Sequence, residues 1–294
     1  MNNNDTRLPE IIAHRGNALE FPENTLQALE SAVALGVRHL EFDVQLTADH
    51  VPVVFHDADL ARVGNRPESV HSLSWSQLAE IPVGEVSRFG DRFAYTCAPS
   101  LAQTVDAIAG WEGVTAFVEV KRASLRHFGH EVVLRRVSEV LQPVLDRCVL
   151  ISFDLAAVKI LRLMTGARIG WVLSQYDADS LREAGALAPE FLFCNLERVP
   201  ATTEQLWPGP WDWAIYEVRD LETARQCREL GAKYVETMAV RNLRTEYDEA
   251  ASVMRYVQKV ALGVAIVVRR RVGSLVAADD EGIKQVFHVH RVDL

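Results

Sequence analysis

Short β-branched runs alternate along this chain with segments whose apolar residues recur at helical spacing. Strand-like apolar runs fall at 10–13, 37–44, 115–120, 148–153, 168–173, 190–194, 211–217 and 233–236. Helical spacing follows most of them, at 24–35, 101–108, 127–141, 155–164, 178–186 and 221–230. Eight strands alternating with helices predict an α/β chain folded as a (β/α)8 TIM barrel, and near-continuous apolar strands fit a parallel sheet buried on both faces. A doubly wound open sheet would call for a glycine-rich phosphate loop after the first strand. The HRGNALEFPEN found there has no GxGxxG.

Two stretches break the rhythm. The run 51–56 is extended and is expected to pair with 37–44 as a hairpin turning at 48–50. After it, 57–100 is too long for an ordinary βα loop, carries a short helical pattern at 74–80, and reads as a small insertion after the second strand, over the C-terminal face of the barrel. At the other end, 242–256 reads as a final helix, and the residues beyond it alternate like two strands that fit no ninth βα unit. The expected organisation is a barrel over 1–258, with its insertion at 57–100, and a C-terminal extension over 259–294. The extension is compatible with an edge pairing, a contact between subunits of a homo-oligomer, or a loosely ordered end.

Composition narrows the class. Of the 294 residues, 49% are hydrophobic and 24% charged, as in ordinary globular domains. A net charge of −9 speaks against nucleic acid as a partner, because non-specific binding needs a basic face. It leaves an anionic substrate open, since a bound metal or a local cluster of cations overrides the global sign. Cys97, Cys148, Cys194 and Cys227 are scattered without a CxxC pair, which reads as reduced thiols. No apolar run approaches the ~18 residues of a membrane span, and MNNNDTRLPE has no signal-peptide pattern, so the expected location is cytoplasmic, without stable membrane insertion.

The chemistry concentrates early. Glu41 and Asp43 lie two apart in an apolar strand, so both side chains leave one face. Burying like carboxylates together is costly unless a cation sits between them. Glu119, in AFVEVK, is a third carboxylate in the same setting, with Lys121 two residues on. Three strand-borne carboxylates at one barrel mouth form an oxygen-rich site suited to Ca²⁺ or Mg²⁺ rather than zinc. The plainer alternative pairs Glu41 or Glu119 with Lys121 or an arginine. His14 and His56 each close an extended run, and two imidazoles beside such a trio suit paired acid–base work. Arg15 is a natural bidentate partner for phosphate, or an ion-pair partner for Glu23. Pro22-Glu23-Asn24-Thr25 opens the first helix. Asn24 or Thr25 is placed to cap it, and Glu23 to add a carboxyl oxygen or to orient Arg15.

With these residues in place the chain resembles the glycerophosphodiester phosphodiesterase family. The matching pieces are HRG (14–16), PENT (22–25), ExD (41, 43), VPVVFHD (51–57), APSL (98–101), ExK (119, 121) and SF (152–153), within a resemblance that covers about 11–231. Their order is more specific than any one of them. The resemblance implies a barrel with an insertion after the second strand. It also implies a divalent-metal hydrolase that cleaves glycerophosphodiesters to glycerol 3-phosphate and an alcohol. Carried over by motif, His14 and His56 would be the acid–base pair, Glu41, Asp43 and Glu119 the ligands of a Mg²⁺ or Ca²⁺ cofactor, and Arg15 and Lys121 the phosphate holders, with Glu23 and Asn24 in support.

The second half departs from the pattern. Trp213-Ala214-Ile215-Tyr216 stands where the family has a WTVN-like strand, and Glu236-Thr237-Met238 where it has a TD. These positions are expected to line the pocket wall and to bear on head-group choice. Two rivals follow. One is a lysophospholipase D-type activity, whose acyl groove would come from Leu73, Trp75, Leu78, Phe89 and Phe93 unless these form the insertion's core. The other is a barrel that binds phosphorylated ligands without turning them over, which would need neither the second histidine nor a full ligand set.

Overall fold

The computed structural model describes residues 8–253. Nine strands form one sheet: β1 (Glu10–Ala13), β2 (His39–Leu46), β3 (Pro52–Val54), β4 (Thr115–Val120), β5 (Cys148–Ser152), β6 (Arg168–Val172), β7 (Phe191–Asn195), β8 (Asp212–Tyr216) and β9 (Tyr234–Thr237). Their order is β1-β9-β8-β7-β6-β5-β4-β2-β3, and a further β1–β2 pairing closes eight parallel strands into the expected barrel. β3 is the ninth, antiparallel to β2 with Val44 opposite Val54, as the hairpin reading requires.

Alternation along the strands sorts the core into two layers. Outward residues such as Leu40, Phe42, Val44, Val118 and Leu150 pack under the helices. Inward residues fill the barrel with Ile12, Phe117, Phe191, Phe193, Ala214 and Tyr234. Phe117 meets Phe191 and Phe193 edge-on at 5.0 and 5.5 Å, a plug of aromatic rings that favours that geometry. Above this plug the same alternation turns Glu41, Asp43 and Glu119 inward. Several helices start where a side chain satisfies a free amide. Thr25, Ser100, Asp154, Asp177 and Asp220 each accept from a first-turn N–H.

Several boundaries differ from the pattern reading. The first helix is Leu26–Ala34 with Thr25 as its cap, because Asn24 is left-handed at φ 57° and turns its side chain elsewhere. β2 begins and ends two residues later than 37–44, which adds Gln45 to the inward row. The expected helix 127–141 is two helices, Arg122–Phe128 and His130–Leu141, broken at Gly129, whose φ of 80° suits glycine.

The insertion has its own core of Val53, Phe55, Leu60, Val63, Val70, Leu78, Ile81, Val83 and Ala98, with Leu73 and Trp75 packed against it. Those last two and Leu78 therefore belong to its interior rather than to an acyl groove. Phe89 and Phe93 stand apart, ring to ring at 5.2 Å, and Phe93 meets Phe21 at 5.5 Å. Residues 8–247 lie within one compact unit; of a second unit beginning at Asp248, the described residues 248–253 are helical. The extension 259–294 lies outside the described residues.

Candidate active site

The loop after β1 folds back over the barrel mouth. Gly16, at φ 80°, lets it turn; a Cβ there would sit 2.5 Å from the backbone of Ala28, so only glycine fits under the first helix. The turn aims the Arg15 amide at Glu41 Oε2 (3.0 Å) and brings His14 Nε2 to 3.9 Å from the same oxygen. Burial, and then Arg15, push the His14 imidazole well below its ordinary range, so it is neutral at neutral pH.

Asp43 is the hub. Its Oδ2 lies 3.1 Å from Arg15 Nε and accepts from Asn24 Nδ2 at 2.8 Å, while Oδ1 lies 3.1 Å from Lys121 Nζ. Burial works against its charge, but Lys121 and Arg15 hold it well below the usual carboxylate range. Lys121 also pairs with Glu119 at 2.9 Å, and Arg15 with Glu23 at 3.0 Å. The ion-pair alternatives for Arg15 and Lys121 are thus both realised, and each of the two cations bridges two carboxylates at the mouth.

The second histidine is held from the insertion side. His56 Nδ1 donates to Asp57 Oδ1 at 2.6 Å, and Arg62 Nε donates to Asp57 Oδ2 at 2.8 Å. Arg62 then forks onto both oxygens of Glu23, at 2.6 and 2.8 Å, joining the insertion to the first loop. Gln45 Nε2 donates to the carbonyls of His56 and Asp57 at 2.9 and 3.2 Å.

All nine residues singled out in the sequence are therefore brought to one mouth. Glu23 supports Arg15 and Arg62, and Asn24 supports Asp43 instead of capping the helix. Asp57 closes the VPVVFHD motif, which gave it no role, and Arg62 and Gln45 are partners that lie outside the motifs. A further residue changes the picture. Glu236, read above as pocket wall, is 4% exposed and lies with a carboxylate oxygen within 4.8 Å of His14 and Glu41. The parallel register that sets Ile12 beside Glu236 brings it there. Burial and then Glu119 push its carboxyl up to about 8. On the neighbouring strand β8, Tyr216 is the register partner of Glu236, and Trp213 faces outward into the ring cluster of Tyr176 and Trp207, leaving Ala214 and Tyr216 inside.

Glu41, Asp43 and Glu119 have oxygens within 4.8 Å of one another, and Glu41 Oε1 is buried with no hydrogen-bond partner. Burial, and then Asp43 and Glu236, push the Glu41 carboxyl well above its ordinary range. An orphaned buried oxygen among mutually repelling carboxylates is the donor set a hard divalent cation satisfies, so these residues fit one.

Fold and site together define a (β/α)8 barrel with a carboxylate- and histidine-lined mouth at the C-terminal ends of its strands. The chain matches the glycerophosphoryl diester phosphodiesterase family over residues 14–200, more than half its length, and belongs to that family. It is similar to the glycerophosphodiester phosphodiesterase of Caldanaerobacter subterraneus subsp. tengcongensis, 32% identical over 130 residues, or 44% of this chain and 52% of that protein. It is also similar to glycerophosphodiester phosphodiesterase 1 of Bos taurus, 31% identical over 110 residues, or 37% of this chain and 33% of that one. The chain thus spans about half or less of the length of these two relatives.

Among solved structures, an Oleispira antarctica phosphodiesterase in complex with the product sn-glycerol-3-phosphate has the same fold. Its TM-score is 0.69 at 22% identity, covering 82% of this chain and 97% of that one. A glycerophosphodiester phosphodiesterase from Parabacteroides distasonis matches at a TM-score of 0.67 and 19% identity, covering 82% and 98%.

Proposed function

We propose that this chain hydrolyses glycerophosphodiesters to glycerol 3-phosphate and an alcohol, with Mg²⁺ or Ca²⁺ held by Glu41, Asp43 and Glu119. The observation that carries this reading is the buried, unpartnered Oε1 of Glu41 beside two further carboxylates and a neutral histidine. A divalent cation there would act as a Lewis acid on a phosphate oxygen and offset charge as the pentacoordinate state forms.

The chain's own groups supply the rest. Arg15 and Lys121 stand beside the carboxylates, where they hold the phosphate and fix its orientation. His14, kept neutral by burial, takes the proton from the attacking hydroxyl, whether water or the adjacent glycerol hydroxyl. His56, with Nδ1–H bound to Asp57, is fixed in orientation, and it protonates the leaving alkoxide from its other nitrogen. Glu23 and Asn24 hold Arg15 and Asp43 in place.

The reading includes a cytoplasmic setting, supported by four unpaired cysteines. No helix among the described residues is long and apolar enough to cross a membrane.

The test is glycerol 3-phosphate release from glycerophosphocholine and glycerophosphoethanolamine by the purified chain. Release from either, lost in Glu119→Gln, supports the assignment. A folded protein that releases none from either contradicts it, and lysophospholipids are then the next substrates to try.

A further inference from the structure

Besides Glu23, the mouth carries the carboxylates Glu41, Asp43, Glu119 and Glu236. Its two bridging cations pair with carboxylates other than Glu236: Arg15 with Asp43 and Glu23, Lys121 with Asp43 and Glu119. Glu236 has no side-chain hydrogen bond or ion pair among the described residues, although it is 4% exposed. A carboxyl so deeply buried is costly to ionise unless a cation meets it. Its oxygen reaches within 4.8 Å of a His14 ring nitrogen and a Glu41 oxygen. Glu41, 1% exposed, has Oε1 without a partner. The mouth thus contains two donor triads that share Glu41. One is all oxygen; the other has one nitrogen and two oxygens.

We propose that His14, Glu41 and Glu236 form a second cation position, adjoining the first through Glu41 and selective for Zn²⁺ over Ca²⁺ and Mg²⁺. It rests on the reading above that Glu41, Asp43 and Glu119 hold the first cation. An imidazole ligand suits zinc, whereas calcium and magnesium keep to oxygen donors. Because the second cation takes up the His14 nitrogen, filling this position removes the group that accepts the proton from the nucleophile. The second equivalent of zinc therefore slows turnover.

The experiment is equilibrium dialysis of the full chain against Ca²⁺ or Zn²⁺, followed by metal analysis, for the wild type, Glu236→Gln, Glu236→Leu and Glu119→Gln. Both Glu236 variants remove a buried, unpartnered carboxyl group, so they are expected to fold, and circular dichroism checks this. The expected result is one zinc equivalent fewer in either Glu236 variant than in the wild type, with calcium unchanged. Equal zinc content in the wild type and a folded Glu236 variant overturns the second position. A wild type that binds no calcium, or binds as much as Glu119→Gln, overturns the first position and with it the reading on which the second rests.

Discussion

Asn24 and Asp43 are locked together by two hydrogen bonds. The Asn24 amide nitrogen donates to Asp43 Oδ2 at 2.8 Å, and the Asp43 backbone N–H donates to Asn24 Oδ1 at 3.1 Å. The pair fixes the carboxylate in one orientation, with its other oxygen beside Lys121. Partners of this kind orient metal ligands, and losing one typically costs ~10–100-fold in metal affinity. Asn24→Ala is expected to weaken Ca²⁺ or Mg²⁺ binding by about that factor while the first helix, capped by Thr25, stays intact. Titration calorimetry measures the affinity, and an unchanged dissociation constant would contradict the role.

The two histidines are expected to be separable from the fold. His14→Ala or His56→Ala should lower kcat by on the order of 10²–10⁴ with an unaltered circular dichroism spectrum. Asp57→Asn, which keeps its shape but not the charge that steadies His56, should lose less than His56→Ala. Steady-state kinetics on glycerophosphocholine reads all three. Wild-type turnover in either alanine variant would remove that histidine from the mechanism.

His71 makes a prediction about pH and stability. Its Nε2 sits 3.2 Å from Gln45 Oε1 and from Ser124 Oγ, and the same Gln45 holds the His56 carbonyl. The other titratable group packed on it is His127, ring to ring at 4.9 Å. Burial, and then His127, push His71 down to about 4. Between its unfolded value of about 6.5 and that folded value, the unfolded chain binds a proton that the native state does not. Stability from this group therefore falls as pH drops from about 6.5 to 4. The gap in melting temperature between the wild type and His71→Gln should shrink over that interval. A constant gap would contradict the assignment.

Much of this was legible in the chain because barrel strands and site motifs coincide. β2 reads HLEFDVQL, and its alternation both buries Leu40, Phe42 and Val44 and turns Glu41 and Asp43 inward. Glu119 follows the same rule, since β4 pairs Asp43 with Glu119 across the ladder. Element ends were less legible: Asn24 looks like a helix cap until its left-handed backbone sends its amide to Asp43. Glu236 was harder still. It is 195 residues from Glu41 in sequence, and only closure of β9 onto β1 makes them neighbours. Arg62 lies in a four-residue helix of the insertion, with no periodicity to mark it.

The central claim is that a cation held by Glu41, Asp43 and Glu119 is needed for phosphodiester cleavage. The most direct measurement is glycerol 3-phosphate release from glycerophosphocholine by chelated enzyme, before and after Ca²⁺ or Mg²⁺ is restored, in the wild type and in Glu41→Ala. Release that disappears on chelation, returns with the metal, and is absent throughout in Glu41→Ala is the predicted result. Release that persists at the wild-type rate after chelation, or in Glu41→Ala, would contradict it.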